Sequence, residues 1–222
     1  MKLSVVIPAV DEGPRIEAAV ASAAGESVEV LVVDGGSRDS TSERAKQAGA
    51  TVLHSPPGRA RQLGVGASSA RGEAVLFLHA DTTLPRGWDA AVRMALADEA
   101  VAAGAFSLRF DAHTPLLRLV EWGTRVRVRL LRNPYGDQAL FVRRRVLESI
   151  GGVPQQPIME DLDLVREIKR RGRLVLLPLP ATTSARRYES RGVLRTVLRN
   201  AVASAGRLLG FERQRIAEWY HR

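Results

Sequence analysis

The 222-residue chain is 45% apolar and 26% charged, globular proportions that argue against global disorder and suffice for a sizeable core. It contains no cysteine, which excludes disulfide scaffolds, thiolate zinc sites, iron–sulfur clusters and cysteine nucleophiles. The net charge of +9 is uneven: residues 1–111 carry 11 basic against 14 acidic side chains, and residues 112–222 carry 22 against 10. Such asymmetry suggests a second half that meets phosphates, nucleic acid or anionic lipid, or simply a solvated arginine face.

In chain order, residues 3–8 form a compact run rich in β-branched residues, read as a strand, and the Ala-rich residues 14–24 form a helix. Residues 28–33 (VEVLVV) are a second strand, followed by Asp34-Gly35-Gly36-Ser37 and a helix over 39–48 capped by Asp39 or Ser40. A strand over 51–54, a helix over 59–70, a strand over 74–79 (AVLFLH) and a helix over 86–98 complete the alternation. Near-continuous apolar strands separated by helices indicate βαβ units and a buried parallel sheet. Ligands of such sheets bind beyond the carboxyl ends of the strands, here Pro8 to Glu12, Asp34 to Ser37, His54 to Arg61 and His79 to Thr82.

The second half reads as a strand over 101–110, a basic amphipathic helix over 114–132, a short strand over 138–142 and a helix from 143 that ends at Gly151-Gly152. A helix over 158–171 places acids first and bases last, which suits its dipole. A strand over 174–177 and a terminal helix over 193–209 follow. There is no internal repeat or obvious linker, so one domain over 1–222 is expected: a nucleotide-binding part over 1–111, then an acceptor-side part with a basic helical tail. No apolar run is long enough to span a bilayer and the start turns acidic within about a dozen residues, so a cytoplasmic protein is expected.

Four constellations could carry chemistry. Leu76-Phe77-Leu78-His79-Ala80-Asp81 ends a buried strand with an imidazole and a carboxylate spaced i, i+2, which strand alternation sets on one face. Asp81 could hold Mg²⁺ or Mn²⁺, hard cations that favour oxygen ligands and share their shell with substrate phosphates; the alternative is a turn cap. Asp34 followed by two glycines suits a nucleoside corner, or an ordinary Asp-Gly turn. Arg59 and Arg61 enter a helix where guanidinium forks could meet phosphate, or lie solvated. Glu160-Asp161 opens a helix where a carboxylate could act as a general base, or where acids simply complement the dipole.

Taken in order, Pro-x-x-Asp-Glu after a strand, Asp-Gly-Gly-Ser-x-Asp, Gly-x-Ala-x-Gln, Gly-Glu-x-x-x-Phe-Leu-x-Ala-Asp, Gly-Asp-Gln and Glu-Asp-x-Asp resemble glycosyltransferase family 2 over roughly residues 3–190. VVDGGSRD, GRARQ, LFLHADT, GDQALFVRR and MEDLDLVR are similar to its bacterial arsenosugar-biosynthesis-type subgroup. The resemblance implies a GT-A fold, a Rossmann-like, mostly parallel α/β sheet flanked by helices. The implied activity is inverting, cation-assisted (Mn²⁺ or Mg²⁺) transfer from a nucleotide-diphosphate sugar, expected to be a UDP-sugar, to a small-molecule or lipid-linked hydroxyl acceptor. It implies that Pro8, Ala9, Glu12 and Ala80 line the nucleotide pocket, that Asp34 contacts base or ribose, and that Arg61 lies near the nucleotide. It also implies that Asp81 binds the metal, that Asp161 is the base, and that Gly136, Asp137, Gln138 and Glu160 lie on the acceptor side.

Two departures stand out: His79 occupies the place of the first acid of the family's Asp-x-Asp, and the Gln-x-x-Arg-Trp signature of processive members is reduced to Ser184 and Arg187-Tyr188. A single transfer is therefore expected rather than polymerisation. The rival readings are a basic membrane-surface or anion-binding module built on a nucleotide-binding fold, and a nucleotidyltransferase. The basic helices suggest peripheral membrane contact or pairing of two subunits; no nucleic-acid motif is present, so no nucleic-acid partner is expected.

Overall fold

The computed structural model describes residues 1–221. The elements are β1 (Leu3–Ala9), α1 (Gly13–Ala23), β2 (Val28–Asp34), α2 (Thr41–Gln47), β3 (Thr51–His54), α3 (Arg59–Ser69), β4 (Ala74–Phe77), β5 (Thr82–Thr83) and α4 (Trp88–Ala95). They continue with β6 (Val101–Phe110), α5 (Pro115–Leu131), a 3₁₀ turn (Gly136–Gln138), β7 (Phe141–Arg143), α6 (Arg144–Ser149), α7 (Glu160–Lys169) and β8 (Arg173–Thr183). Three helices close the described chain: α8 (Arg186–Arg191), α9 (Val193–Leu208) and α10 (Arg213–His221).

The strands form one sheet in the order β3-β2-β1-β4-β7-β6-β8-β5. The pairs β1–β2, β1–β4, β2–β3 and β6–β8 are parallel; β4–β7, β6–β7 and β5–β8 are antiparallel. Alternation along each strand sorts the core onto two faces. Leu3, Val5, Ile7 and Ala9 of β1 pack with α1 and α4 through Ile16, Val20, Trp88 and Val92, whereas Val6 packs with α3 and α7 through Leu63, Leu164 and Ile168. Both faces of the parallel strands are therefore apolar, which is why they read as unbroken hydrophobic runs.

Several boundaries differ from expectation for local reasons. Strand β4 stops at Phe77, and Leu78 to Asp81 form a turn closed by the Thr82 N–H donating to the His79 carbonyl at 3.1 Å. Strand β8 runs eleven residues, although the sequence suggested four, because its pairing with β6 shifts register after Phe106 and resumes at Pro180. That irregularity accommodates Pro178 and Pro180, which lack a donor for a regular ladder. Residues 138–140 are not strand, since the 3₁₀ turn and Ala139 with φ 46° come first. The expected single terminal helix continues past Gly210, at φ 81°, as α10. Of the two expected caps, Ser40 holds the N-cap position of α2 without a side-chain capping bond, while Asp39 before it serves both helix starts: Oδ1 accepts from the Thr41 N–H and Oδ2 from the Gly13 N–H, both at 3.0 Å, joining α1 and α2. Among the described residues, no helix is long and apolar enough to cross a membrane.

Candidate active site

Two cavities meet at the carboxyl ends of β1 and β4. The smaller, about 220 Å³, is lined by Pro8, Ala9 and Glu12 from the end of β1, Gln62 from α3, the turn His79–Asp81, and Arg186 and Arg187 from α8. The larger, about 430 Å³, is lined by Gly136 and Asp137, by the start of α7 including Glu160 and Asp161, and by Asn200, Ser204 and Tyr220. Arg59, His79 and Arg187 line both and form the boundary between them.

On the smaller side, Gln62 is buried and its amide donates to the carbonyls of Ala9 (2.9 Å) and Val33 (2.8 Å), pinning the ends of β1 and β2. Glu12 receives Arg15 at 2.9 Å and Arg186 at 3.0 Å. Burial raises the pKa of the Asp81 carboxyl, with further repulsion from Glu12, while Arg186 and Arg187 oppose the rise. The Asp81 turn is tied to β8 through the Thr82 and Thr183 hydroxyls (2.9 Å) and the Ser184 N–H on the Asp81 carbonyl (3.1 Å). This tie brings α8, and so Arg186 and Arg187, over the end of β1.

On the larger side, Asp161 is held by two backbone donors: the Gly136 N–H to Oδ2 at 2.7 Å and the Leu162 N–H to Oδ1 at 2.9 Å. A Cβ on Gly136 would stand 3.0 Å from His79 Nε2 and 3.2 Å from Asp161 Oδ2, so glycine keeps that approach open. Glu160 is buried and ion-paired with Arg59, whose Nη2 also lies 3.9 Å from Asp161. Burial, then the Arg59 charge, push the His79 imidazole down to about 3, Asp161 only partly opposing, so the ring is neutral at physiological pH. Burial pushes the Asp137 carboxyl up to about 6 against the pull of Arg127, and its Oδ1 has no hydrogen-bond partner in the protein. Arg127 itself stacks 3.5 Å over the Tyr135 ring.

Backbone strain collects here. Of the five non-glycine residues with positive φ among the described residues, Asp11, Ala139 and Met159 adjoin Glu12, the 3₁₀ turn and Glu160 respectively. Left-handed backbone at such residues is unfavourable and persists where surrounding contacts enforce it.

Nine expected residues thus line the paired cavities: Pro8, Ala9, Glu12, Ala80 and Asp81 on one side, and Gly136, Asp137, Glu160 and Asp161 on the other. Three do not. Gln138 is buried beneath the site, its amide donating to the Phe106 carbonyl at 3.0 Å and its Oε1 accepting from the Tyr135 N–H at 3.2 Å. Asp34 is consumed by its own turn. Its Oδ1 accepts from the N–H groups of Gly36 (3.0 Å) and Ser37 (2.8 Å) and its Oδ2 from Ser42, bonds that outweigh burial and hold its pKa low. Arg61 points to a separate surface cavity beside Arg144 and Gln155.

Arg59 takes the place expected of Arg61. Residues two apart on a helix lie about 200° apart around its axis, so only one of the pair can face the site; the buried Gln62 and Leu63 mark α3's inward face. His79 lies on the shared boundary because of the turn, not because of strand alternation. Arg186, Arg187, Asn200, Ser204 and Tyr220 were not assigned from sequence, although the Arg187-Tyr188 echo flagged that segment. The third acid of Glu-Asp-x-Asp, Asp163, has a structural role: Arg207 (2.6 Å) and Arg213 (2.7 Å) clamp it and fasten α9 and α10 over the larger cavity.

The donor set suits a hard cation only in part. Asp81 and Glu12 offer carboxylate oxygens to one cavity, yet no group of three or more His, Asp or Glu among the described residues could by itself hold a metal ion. The residues fit a cation whose shell substrate phosphates complete.

No curated protein matches the chain. Among solved structures, it resembles a crystal structure of a mycobacterial protein at 26% identity and TM-score 0.58, over 82% of this chain and 65% of that one. It resembles glucosyl-3-phosphoglycerate synthase from Mycobacterium tuberculosis, crystallised with Mn²⁺, UDP and phosphoglyceric acid, at 22% identity and TM-score 0.68, over 95% of this chain and 79% of that one. It also resembles the mannosyltransferase PcManGT from Pyrobaculum calidifontis, in complex with GDP-Man and Mn²⁺, at 23% identity and TM-score 0.66, over 82% of this chain and 56% of that one. These likenesses establish the GT-A fold, the mostly parallel sheet flanked by helices expected from sequence. Residues 4–148 match the model of glycosyl transferase family 2, well over half of the sequence, and the chain belongs to that family.

Proposed function

We propose that the chain transfers one sugar from a nucleotide-diphosphate donor, a UDP-sugar by its motif set, to a hydroxyl acceptor with inversion at the anomeric carbon. The observation that carries this reading is the pairing of the cavities: one presents Glu12 and Asp81 with arginines, the other presents Asp161, and Arg59, His79 and Arg187 form their common wall. Structural relatives bound to UDP or GDP-Man with Mn²⁺ support a nucleotide-sugar donor. The motifs VVDGGSRD, GRARQ and MEDLDLVR support placement in the arsenosugar-biosynthesis-type subgroup.

In this reading Pro8, Ala9, Glu12 and Ala80 line the donor side, while Asp34 shapes the corner by holding its turn. Asp81, with Glu12 beside it, would hold Mg²⁺ or Mn²⁺, which when bound supplies a Lewis acid for the diphosphate. Arg186, Arg187 and Arg59 offset charge that develops on the leaving group. Asp161, oriented by the Gly136 and Leu162 N–H groups, takes the proton of the acceptor hydroxyl as its oxygen bonds to the anomeric carbon. The bond from that carbon to the diphosphate oxygen breaks, and the nucleoside diphosphate leaves with the electron pair. A neutral His79 adds no charge at the boundary. Arg187, the remnant of the processive signature, lines both cavities, and the loss of the rest of that signature supports a single transfer.

Calorimetric titration of UDP and GDP, each with and without Mn²⁺, into wild type and Asp81→Ala tests the donor side. One nucleotide is expected to bind with the cation, and the variant to bind it at least about tenfold more weakly. Failure of both to bind folded protein refutes the reading. Release of pyrophosphate instead of a nucleoside diphosphate would make the chain a nucleotidyltransferase.

A further inference from the structure

Helix α9 is amphipathic in the opposite sense to a helix covering a core. Its inward side is mostly polar around the buried Ala203: Thr196 is buried, Asn200 and Ser204 line the larger cavity, the Arg199 guanidinium donates to the Trp219 carbonyl at 3.0 Å, and Arg207 is ion-paired to Asp163. Its outward side is Leu194, Val197, Leu198, Ala201, Val202 and Ala205, an apolar stripe at helical spacing that is exposed along its length. Leu194 and Leu198 are 74% and 64% exposed, far above what isolated surface leucines require. At its start α9 adjoins the small apolar cluster that holds Leu117 of α5, against which Val193 packs. Helix α5 likewise exposes Leu116, Leu119 and Trp122.

The rim is cationic. Arg118, Arg125, Arg129 and Arg132 on and after α5, and Arg191 and Arg195 around the start of α9, are exposed. Helix α9 has no acid, and the single acid of α5, Glu121, is buried against Arg118. An apolar stripe accompanied by exposed arginines in excess of the acids on these helices is complementary to a lipid surface, where the aliphatic side chains enter the acyl boundary and the guanidinium groups reach phosphates. A second copy is a poorer occupant: a two-fold interface would lay this cationic rim against its own image.

We propose that the outward face of α9, with the adjoining start of α5, docks the protein on an anionic bilayer surface. The larger cavity shares α9 as a wall, so docking sets it within one helix diameter, roughly 10 Å, of the lipid headgroups. The proposal stands on the surface alone and does not depend on the transfer reaction.

The test is co-sedimentation of the full chain with phosphatidylcholine vesicles, with or without about one-third phosphatidylglycerol, at about 0.15 M salt. Tryptophan emission is followed in parallel, since Trp122 and Trp219 are exposed and Trp88 is buried. Wild type is expected to pellet with the anionic vesicles at least about tenfold more than with neutral ones, with a blue shift in emission. The triple variant Leu194→Gln, Leu198→Gln, Val202→Gln is expected to lose this binding while keeping its far-ultraviolet circular dichroism and its nucleotide titration. Three results would overturn the proposal: no pelleting of folded wild type with anionic vesicles, undiminished pelleting of the triple variant, or a stable dimer in sedimentation velocity that the triple variant makes monomeric. Because vesicle binding and nucleotide binding are read separately, failure of one leaves the other standing.

Discussion

The two halves of the molecule build their parts of the site by different means. In the first half, parallel strands end side by side and their next residues converge because the sheet leaves them nowhere else to go; Pro8, Ala9, Glu12 and the His79–Asp81 turn are delivered this way. In the second half, the cavity is walled by helix termini and helix faces far apart in sequence, from Gly136 to Tyr220. A strand end is a place that a hydrophobic run announces. A helix face is assigned only by what packs on it, and α9 shows that the polar face can be the inner one.

The sharpest way to break this contrast is to separate binding from chemistry. Asp161→Asn is expected to lower kcat by about 10²–10⁴-fold while the nucleotide dissociation constant stays within about twofold, because in the proposed function Asp161 takes the acceptor proton and does not touch the nucleotide. Equal loss of both in turnover assays and calorimetry would mean that Asp161 supports the donor pocket instead.

Arg59 couples the halves, running from α3 to the start of α7. Arg59→Ala is expected to cost about 3 kcal/mol in denaturant unfolding, since it strands Glu160 as a buried carboxylate; Arg61→Ala, on the outward face, should change stability by less than about 0.5 kcal/mol. Similar losses from the two would remove the distinction drawn between these neighbours.

Asp137 makes the second half sensitive to mild acid. Its carboxyl titrates near 6 in the fold against 3.8 as its ordinary value, so its contribution is most favourable when it is protonated. Stability is therefore expected to fall by about 3 kcal/mol as pH rises from below 3.8 through 6, on top of the other titrations. Asp137→Asn should flatten that part of the profile in thermal unfolding across the same range; an unchanged slope would show the burial penalty to be relieved by water.

The smallest expected effect concerns geometry alone. Gly136→Ala places a methyl group 3.0 Å from His79 Nε2 and 3.2 Å from Asp161 Oδ2, contacts that a small shift can relieve. About a tenfold loss in kcat with an unchanged melting temperature is expected, because Asp161 depends on the Gly136 N–H for its orientation.

The sequence by itself determined the parallel strands β1 to β4 and most helices, but not β5 or the length of β8, because burial on both sheet faces forces unbroken β-branched runs and burial on one helix face forces a 3.6-residue period. It also picked out Glu12, Asp81, Glu160 and Asp161, carboxylates at element ends that line the paired cavities. Tertiary structure decided what no local pattern encodes: that Asp34 spends its oxygens on Gly36, Ser37 and Ser42, that Arg59 and not Arg61 turns inward, and that β8 carries two prolines through an irregular ladder. It also decided that α9 closes the cavity with its polar side. The physical reason is the same in each case: a hydrogen-bonding or charged side chain can satisfy itself on its own turn, on a distant element or in solvent, and only the packed chain selects among these.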